Sequence, residues 1–176
     1  MKLWRWIGFG VLTMGGTILH FLYDWTGGFI WVAPFSGVNE SVWEHMKLLF
    51  WPLFFFALAQ RPFFREQGNF WSVKLWSTLL GLLLIPVLFY TYNGAFGKSP
   101  DWVNIAIFYI AAGAVFLFEG WAFKNLRGPS QLAFAVLCLI GILFVVFTFA
   151  PPRLPLFQDP TSQIKTTSPV GLVLSS

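Results

Sequence analysis

Residues 39–62 read NESVWEHMKLLFWPLFFFALAQRP, and the fold turns on how this stretch is read. Its strictly apolar part, Leu48 to Ala59, is twelve residues long. At about 1.5 Å per residue a helix of that length covers about 18 Å, well short of a bilayer core about 30 Å thick. Gln60-Arg61-Pro62 blocks a clean extension toward the carboxyl side, because Pro62 interrupts a helix. A membrane-spanning helix must therefore take its length from the amino side, through Lys47, His45 and Glu44 back to about Ser41. Lys47 then lies deepest, about six residues or about 9 Å inside the boundary. Ionisable side chains at such depth face a bundle interior or a wet cavity and pair with one another. A buried polar cluster is expected here.

The composition of the whole chain supports a membrane setting. Of the 176 residues, 57% are hydrophobic and 10% charged, against about 45–50% and about 25% in an ordinary soluble domain. So few charges exclude a soluble enzyme, a disordered linker and a nucleic-acid binder. The net charge of +4 is not gathered into any basic run. Cys138, the single cysteine, excludes an intramolecular disulfide and a cysteine-rich zinc site, and is read as packing.

Four further segments approach the length of a bilayer helix: Trp6–Tyr23, Trp71–Tyr92, Trp102–Phe123 and Gln131–Ala150. Gly27-Gly28 with Pro34, Arg61-Pro62, Gly94 to Pro100 and Gly128-Pro129 separate the five. No period of 20–50 residues recurs. The sequence therefore predicts an all-α integral membrane helical bundle of about five transmembrane helices. Residues 1–160 form its single domain, and 161–176 form a polar, flexible tail. The first segment is read as a retained signal anchor, since no A-x-A site follows it. Gly15-Gly16 and Gly113 suit close helix contacts.

Orientation follows from the basic residues. With the amino terminus inside, Lys2, Arg5, Arg61, Arg65, Lys74, Lys124 and Arg127 fall on the inner side, and Lys47, Lys98, Arg153 and Lys165 on the outer side. The stretch from Asp24 to Ser41 holds no Lys or Arg. The positive-inside rule then predicts an inner amino terminus and an outer carboxyl terminus.

On the expected outer side the ionisable residues are dense. Ser41-x-x-Glu44 reads as a capping box, which accounts for Ser41 and Glu44 but leaves Glu40, His45 and Lys47 unexplained. His20 and Asp24 share a face of the first helix, with Tyr23 adjacent. The proline-rich segment Pro151–Pro160 is expected to dock through Leu156 and Phe157, delivering Arg153 and Asp159. The candidate ligand-binding set is thus His20, Tyr23, Asp24, Asn39, Glu40, Trp43, Glu44, His45, Lys47, Arg153 and Asp159.

Three readings compete for this layer. The leading one is a binding site for a cation or polar ligand. The second is a divalent metal such as zinc on His20, Asp24, Glu44 and His45, activating water in a membrane-embedded hydrolase with a lipid-like substrate. The third is a structural salt-bridge network in an accessory subunit of a membrane complex. The lipid bilayer is the one partner implied; a homo-oligomer or a membrane-complex partner stays open. Elsewhere Glu119 is expected to pair with Lys124 or a loop arginine.

The stretch from His20 to Pro52 combines His-x-x-Tyr with Pro-Phe-Ser-x-Val-Asn-Glu-Ser-Val-Trp-Glu-His-x-Lys-Leu. It resembles a family of small multi-pass bacterial membrane proteins of unknown function, as does the Pro151–Pro160 segment. The resemblance implies a protein of the bacterial cytoplasmic membrane and brings no activity with it.

Overall fold

The computed structural model describes residues 2–159, in which five α-helices and two short 3-10 turns occur and no strand. The helices are α1 (Lys2–Trp25), α2 (Val42–Gln60), α3 (Phe70–Phe96), α4 (Asp101–Asn125) and α5 (Ser130–Phe149). The 3-10 turns are Arg61–Phe64 and Pro155–Phe157. All five helices are long and apolar enough to cross a membrane. The tail expected over 161–176 lies outside the described residues.

Successive helices run up and down, so the bundle has two ends. One carries the start of α1 and the ends of α2 and α4; the other carries the long α1–α2 loop. Helix α2 sits in the middle: 67% of its apolar window is buried, against 22% in α1 and in α5. That position explains why a helix with Glu44, His45 and Lys47 can exist in this bundle. Glu44 and Lys47 meet protein rather than lipid, while His45 lies nearer the helix end and stays partly exposed.

The length of α2 is recovered at both of its ends. Ser41 caps the amino end, as the sequence predicts, with its hydroxyl accepting from the Glu44 backbone N–H at 3.4 Å. The carboxyl end differs from expectation. Pro62 does not stop the segment but sits in the turn Arg61–Phe64, so that α2 and the turn make one 23-residue span, Val42–Phe64. Proline is welcome there because its fixed φ suits the first positions of a turn and the missing N–H is no loss. The Arg61 guanidinium donates to the Phe64 carbonyl at 2.7 Å, and Trp4 of α1 packs on Phe63 with ring centroids 4.9 Å apart.

Pro52, inside α2, has no N–H to give the Leu48 carbonyl. Helix α1 closes on this gap. A Cβ at Gly16 would lie 3.1 Å from the Leu48 oxygen, and one at Gly15 would lie 3.2 Å from Pro52. The expected close contact at Gly15-Gly16 is therefore present. The one at Gly113 is not, because nothing approaches that position. Gly81 takes the role between α3 and α4, where a Cβ would come within 2.6 Å of Val115.

The α1–α2 loop is laced to both helices. Gly27 and Gly28 adopt φ of 67° and 78°, values that cost a side-chain-bearing residue strain, and turn the chain out of α1. Further on, the Ser36 hydroxyl accepts from the Tyr23 N–H at 3.0 Å and donates to the Leu19 carbonyl. Those two groups would face each other in an uninterrupted helix, so Ser36 wedges into the last turns of α1, where His20 sits. The Trp51 indole donates to the Pro34 carbonyl at 2.9 Å and ties the same loop to α2.

Candidate functional site

At the loop end, three of the expected residues converge. His20 reaches in from α1, His45 from α2 and Glu40 from the loop that precedes α2. The His20 Nε2 lies 3.7 Å from one Glu40 carboxylate oxygen, and the His45 Nε2 lies 3.7 Å from the other. The two imidazole centroids are 5.8 Å apart. The site is open to the surface, with Glu40 47% exposed, His20 30% and His45 19%. At 3.7 Å the contacts are longer than direct hydrogen bonds of about 2.7–3.2 Å.

His45 is held in one tautomer. Its Nδ1 is 3.0 Å from the Ser41 carbonyl, which only accepts, so the proton sits on Nδ1. In the neutral ring Nε2 then presents a lone pair toward Glu40. The group therefore offers two carboxylate oxygens and an imidazole lone pair to a shared space.

Glu44 and Lys47 are also brought together, but they make a separate unit with no accessible face. The Lys47 Nζ donates to Glu44 Oε2 at 2.7 Å, to the Ala33 carbonyl at 2.9 Å and to the Thr148 hydroxyl at 3.0 Å. All three ammonium protons are thereby used. Glu44 Oε2 also accepts from the Val38 N–H at 2.9 Å. The capping box is thus only half formed. Ser41 N–H donates to the Asn39 side chain at 2.9 Å instead of to Glu44, because the Glu44 carboxylate is turned inward to Lys47.

The remaining candidates fall around this centre. Asp24 and Arg153 are exposed, and the Tyr23 backbone N–H donates to Ser36 of the loop rather than to the His20–Glu40–His45 group. The carboxyl-terminal segment docks as expected: Phe157 packs on Trp43 with centroids 4.6 Å apart and on Phe147 at 5.6 Å. Asp159 is half-buried. The zinc set of His20, Asp24, Glu44 and His45 does not converge, since Glu44 is committed to Lys47 and Asp24 is apart. Among the described residues no three His, Cys, Asp or Glu side chains are placed to hold a metal ion.

The opposite end holds polar groups that sequence reasoning assigned otherwise. Glu119 pairs with Lys74 of α3, Nζ to Oε1 at 2.7 Å, and not with Lys124, which is exposed. Both partners are buried. The signal was available: Lys74 lies four residues into α3 and Glu119 six residues before the end of the antiparallel α4, hence at similar depths of about 6 and 9 Å. The Lys74 ammonium also lies over the Phe56 and Phe70 rings, 5.6 and 5.5 Å from their centroids.

Five apolar helices around a core containing two buried ion pairs point to a multi-pass membrane protein. The chain belongs to a family of unknown function, DUF6512, whose model matches residues 1–165. Among curated proteins and solved structures nothing matches it.

Proposed function

We propose that this protein of the bacterial cytoplasmic membrane, amino terminus inside, binds a small cation or the cationic group of a polar ligand at its outer face. The binding groups are His20, Glu40 and His45. The observation that carries this reading is the 3.7 Å spacing of each imidazole Nε2 from a separate Glu40 oxygen, in a setting open to the surface. The two Glu40 oxygens and the His45 Nε2 meet there, beside His20, without direct hydrogen bonds to one another, and a donor or cation between them would satisfy all three. The scarcity of Lys and Arg from Asp24 to Ser41 supports the outer assignment and keeps competing cations away.

Calorimetric titration of the detergent-solubilised protein with ammonium and, separately, with ethanolamine tests the site. Binding of either is expected, with at least about tenfold weaker affinity in Glu40→Gln. The reading fails if neither probe binds or if Glu40→Gln, His20→Ala and His45→Ala all bind as the wild type does. Labelling from the outer side of a cysteine placed at Arg127, in a Cys138→Ala background, would overturn the orientation.

A further inference from the structure

A cavity of about 190 Å³ opens at the end of the bundle opposite the histidines, between the start of α1 and the ends of α2 and α4. Its lining includes three cations, Lys2 and Arg5 of α1 and Lys124 of α4. Among the described residues none of the three has an ion pair or hydrogen bond. Arg5 is half-buried, and its guanidinium lies directly over Gly120. A Cβ at residue 120 would come within 2.9 Å of the Arg5 Cζ, so glycine there leaves the room that the guanidinium occupies. Gln60, 1% exposed, and Glu119, 2% exposed, also line the cavity. Each has a buried oxygen, Oε1 of Gln60 and Oε2 of Glu119, that lacks a hydrogen-bond partner.

Two demands follow from this inventory. Three unpaired cations converging on one cavity call for an anion, and an arginine offers its planar fork of donors to phosphate or carboxylate oxygens. Two buried acceptor oxygens without partners call for a hydrogen-bond donor, because leaving such groups unmet costs about 1–3 kcal/mol each. Water alone would answer the second demand but not the first. The volume is well above the roughly 10–15 Å³ that a single water needs and leaves room for a phosphate with a short hydroxylated or amino-bearing arm.

We propose that this cavity binds a phosphate-type anion carrying a hydrogen-bond donor, the chemistry shared by phospholipid head groups and small soluble phosphate esters. Arg5 takes the phosphate, with Lys2 and Lys124 at the rim. The donor arm reaches Gln60 and Glu119.

The full-length protein in a non-ionic detergent is titrated with short-chain phosphatidylglycerol, with glycerol phosphate and with short-chain phosphatidylcholine, whose head group has no donor. Binding is read by melting shift and by native mass spectrometry. Phosphatidylglycerol is expected to bind at or below about 1 mM. Arg5→Gln and Gly120→Ala are expected to weaken it at least tenfold, and Lys98→Gln, at the other end, to leave it unchanged. Tighter binding of the lipid than of glycerol phosphate assigns the site to a membrane lipid, and equal binding assigns it to a soluble ester. No binding of either by the wild type overturns the proposal. So does an Arg5→Gln protein that binds as well as the wild type. Should Arg5→Gln not fold, Lys124→Gln carries the same comparison at the rim. Equal binding of phosphatidylcholine would overturn the donor contact to Gln60 and Glu119.

Discussion

Lys47–Glu44 and Lys74–Glu119 are chemically the same object, a buried ammonium–carboxylate contact of 2.7 Å, one toward each end of the bundle. Their surroundings differ. Lys47 spends its three protons on Glu44, the Ala33 carbonyl and Thr148, and Glu44 in turn accepts from the Val38 backbone. That pair joins α2, two points of the α1–α2 loop and α5. Lys74 has a single oxygen partner and rests otherwise on aromatic faces, while the second oxygen of Glu119 has no partner and Glu119 lines a cavity. Saturation makes the first pair a staple; the vacant capacity of the second makes it part of a place where something binds. A charge in a membrane helix is thus uninformative until its hydrogen bonds are counted.

The sharpest way to break this contrast is to remove each lysine. Lys47→Ala leaves Glu44 buried without its partner and also orphans Ala33 and Thr148. A loss of about 3–5 kcal/mol is expected, the usual cost of breaking a buried pair. Lys74→Ala is expected to cost less, about 2–3 kcal/mol, because Glu119 borders a cavity that water can enter. Unfolding in mixed micelles of rising denaturing-detergent fraction measures both. A larger loss at Lys74 than at Lys47 would reverse the assignment of staple and site.

Apolar replacement of both partners separates the pairs further. Lys74→Met with Glu119→Leu is expected to retain stability within about 1 kcal/mol, since well-packed apolar groups often replace a buried ion pair without loss. Lys47→Met with Glu44→Leu is expected to lose about 2 kcal/mol, because the Ala33 carbonyl and Val38 N–H keep no partner. Equal behaviour of the two double variants would mean that the extra hydrogen bonds around Lys47 contribute little.

How much of this was legible in the sequence follows from what each residue's signal depends on. The five spans are written in apolar length, a local property, and the helices observed match them with ends shifted by a few residues. The burial of Lys47 followed from arithmetic on Leu48–Ala59 alone. The meeting of His20, Glu40 and His45 was legible as a shared end of two helices, but not as a spacing. The carboxylate that stands between the imidazoles is Glu40 rather than Glu44, because Glu44 turns to a lysine one helical turn away. Glu119 was misassigned to Lys124 because sequence neighbours were weighed above antiparallel depth. The cavity between α1, α2 and α4 had no signal in spacing. Arg5 reads as a topology charge until Gly120 is seen beneath it.

Thr148→Val gives the smallest and finest test of saturation at Lys47. Valine keeps the shape of threonine, and the Thr148 hydroxyl both accepts from Lys47 at 3.0 Å and donates to the Phe144 carbonyl at 2.8 Å. The Phe144 carbonyl belongs to the helical ladder and gains little from the hydroxyl, so the main loss is one acceptor for a buried ammonium. A destabilisation of about 1 kcal/mol is expected in the wild type. On a Lys47→Met background the same change should be nearly neutral, a coupling of about 1 kcal/mol in the double-mutant cycle. Full additivity would mean that Lys47 does not lean on α5, and the pair would then be no more saturated than the one at Lys74.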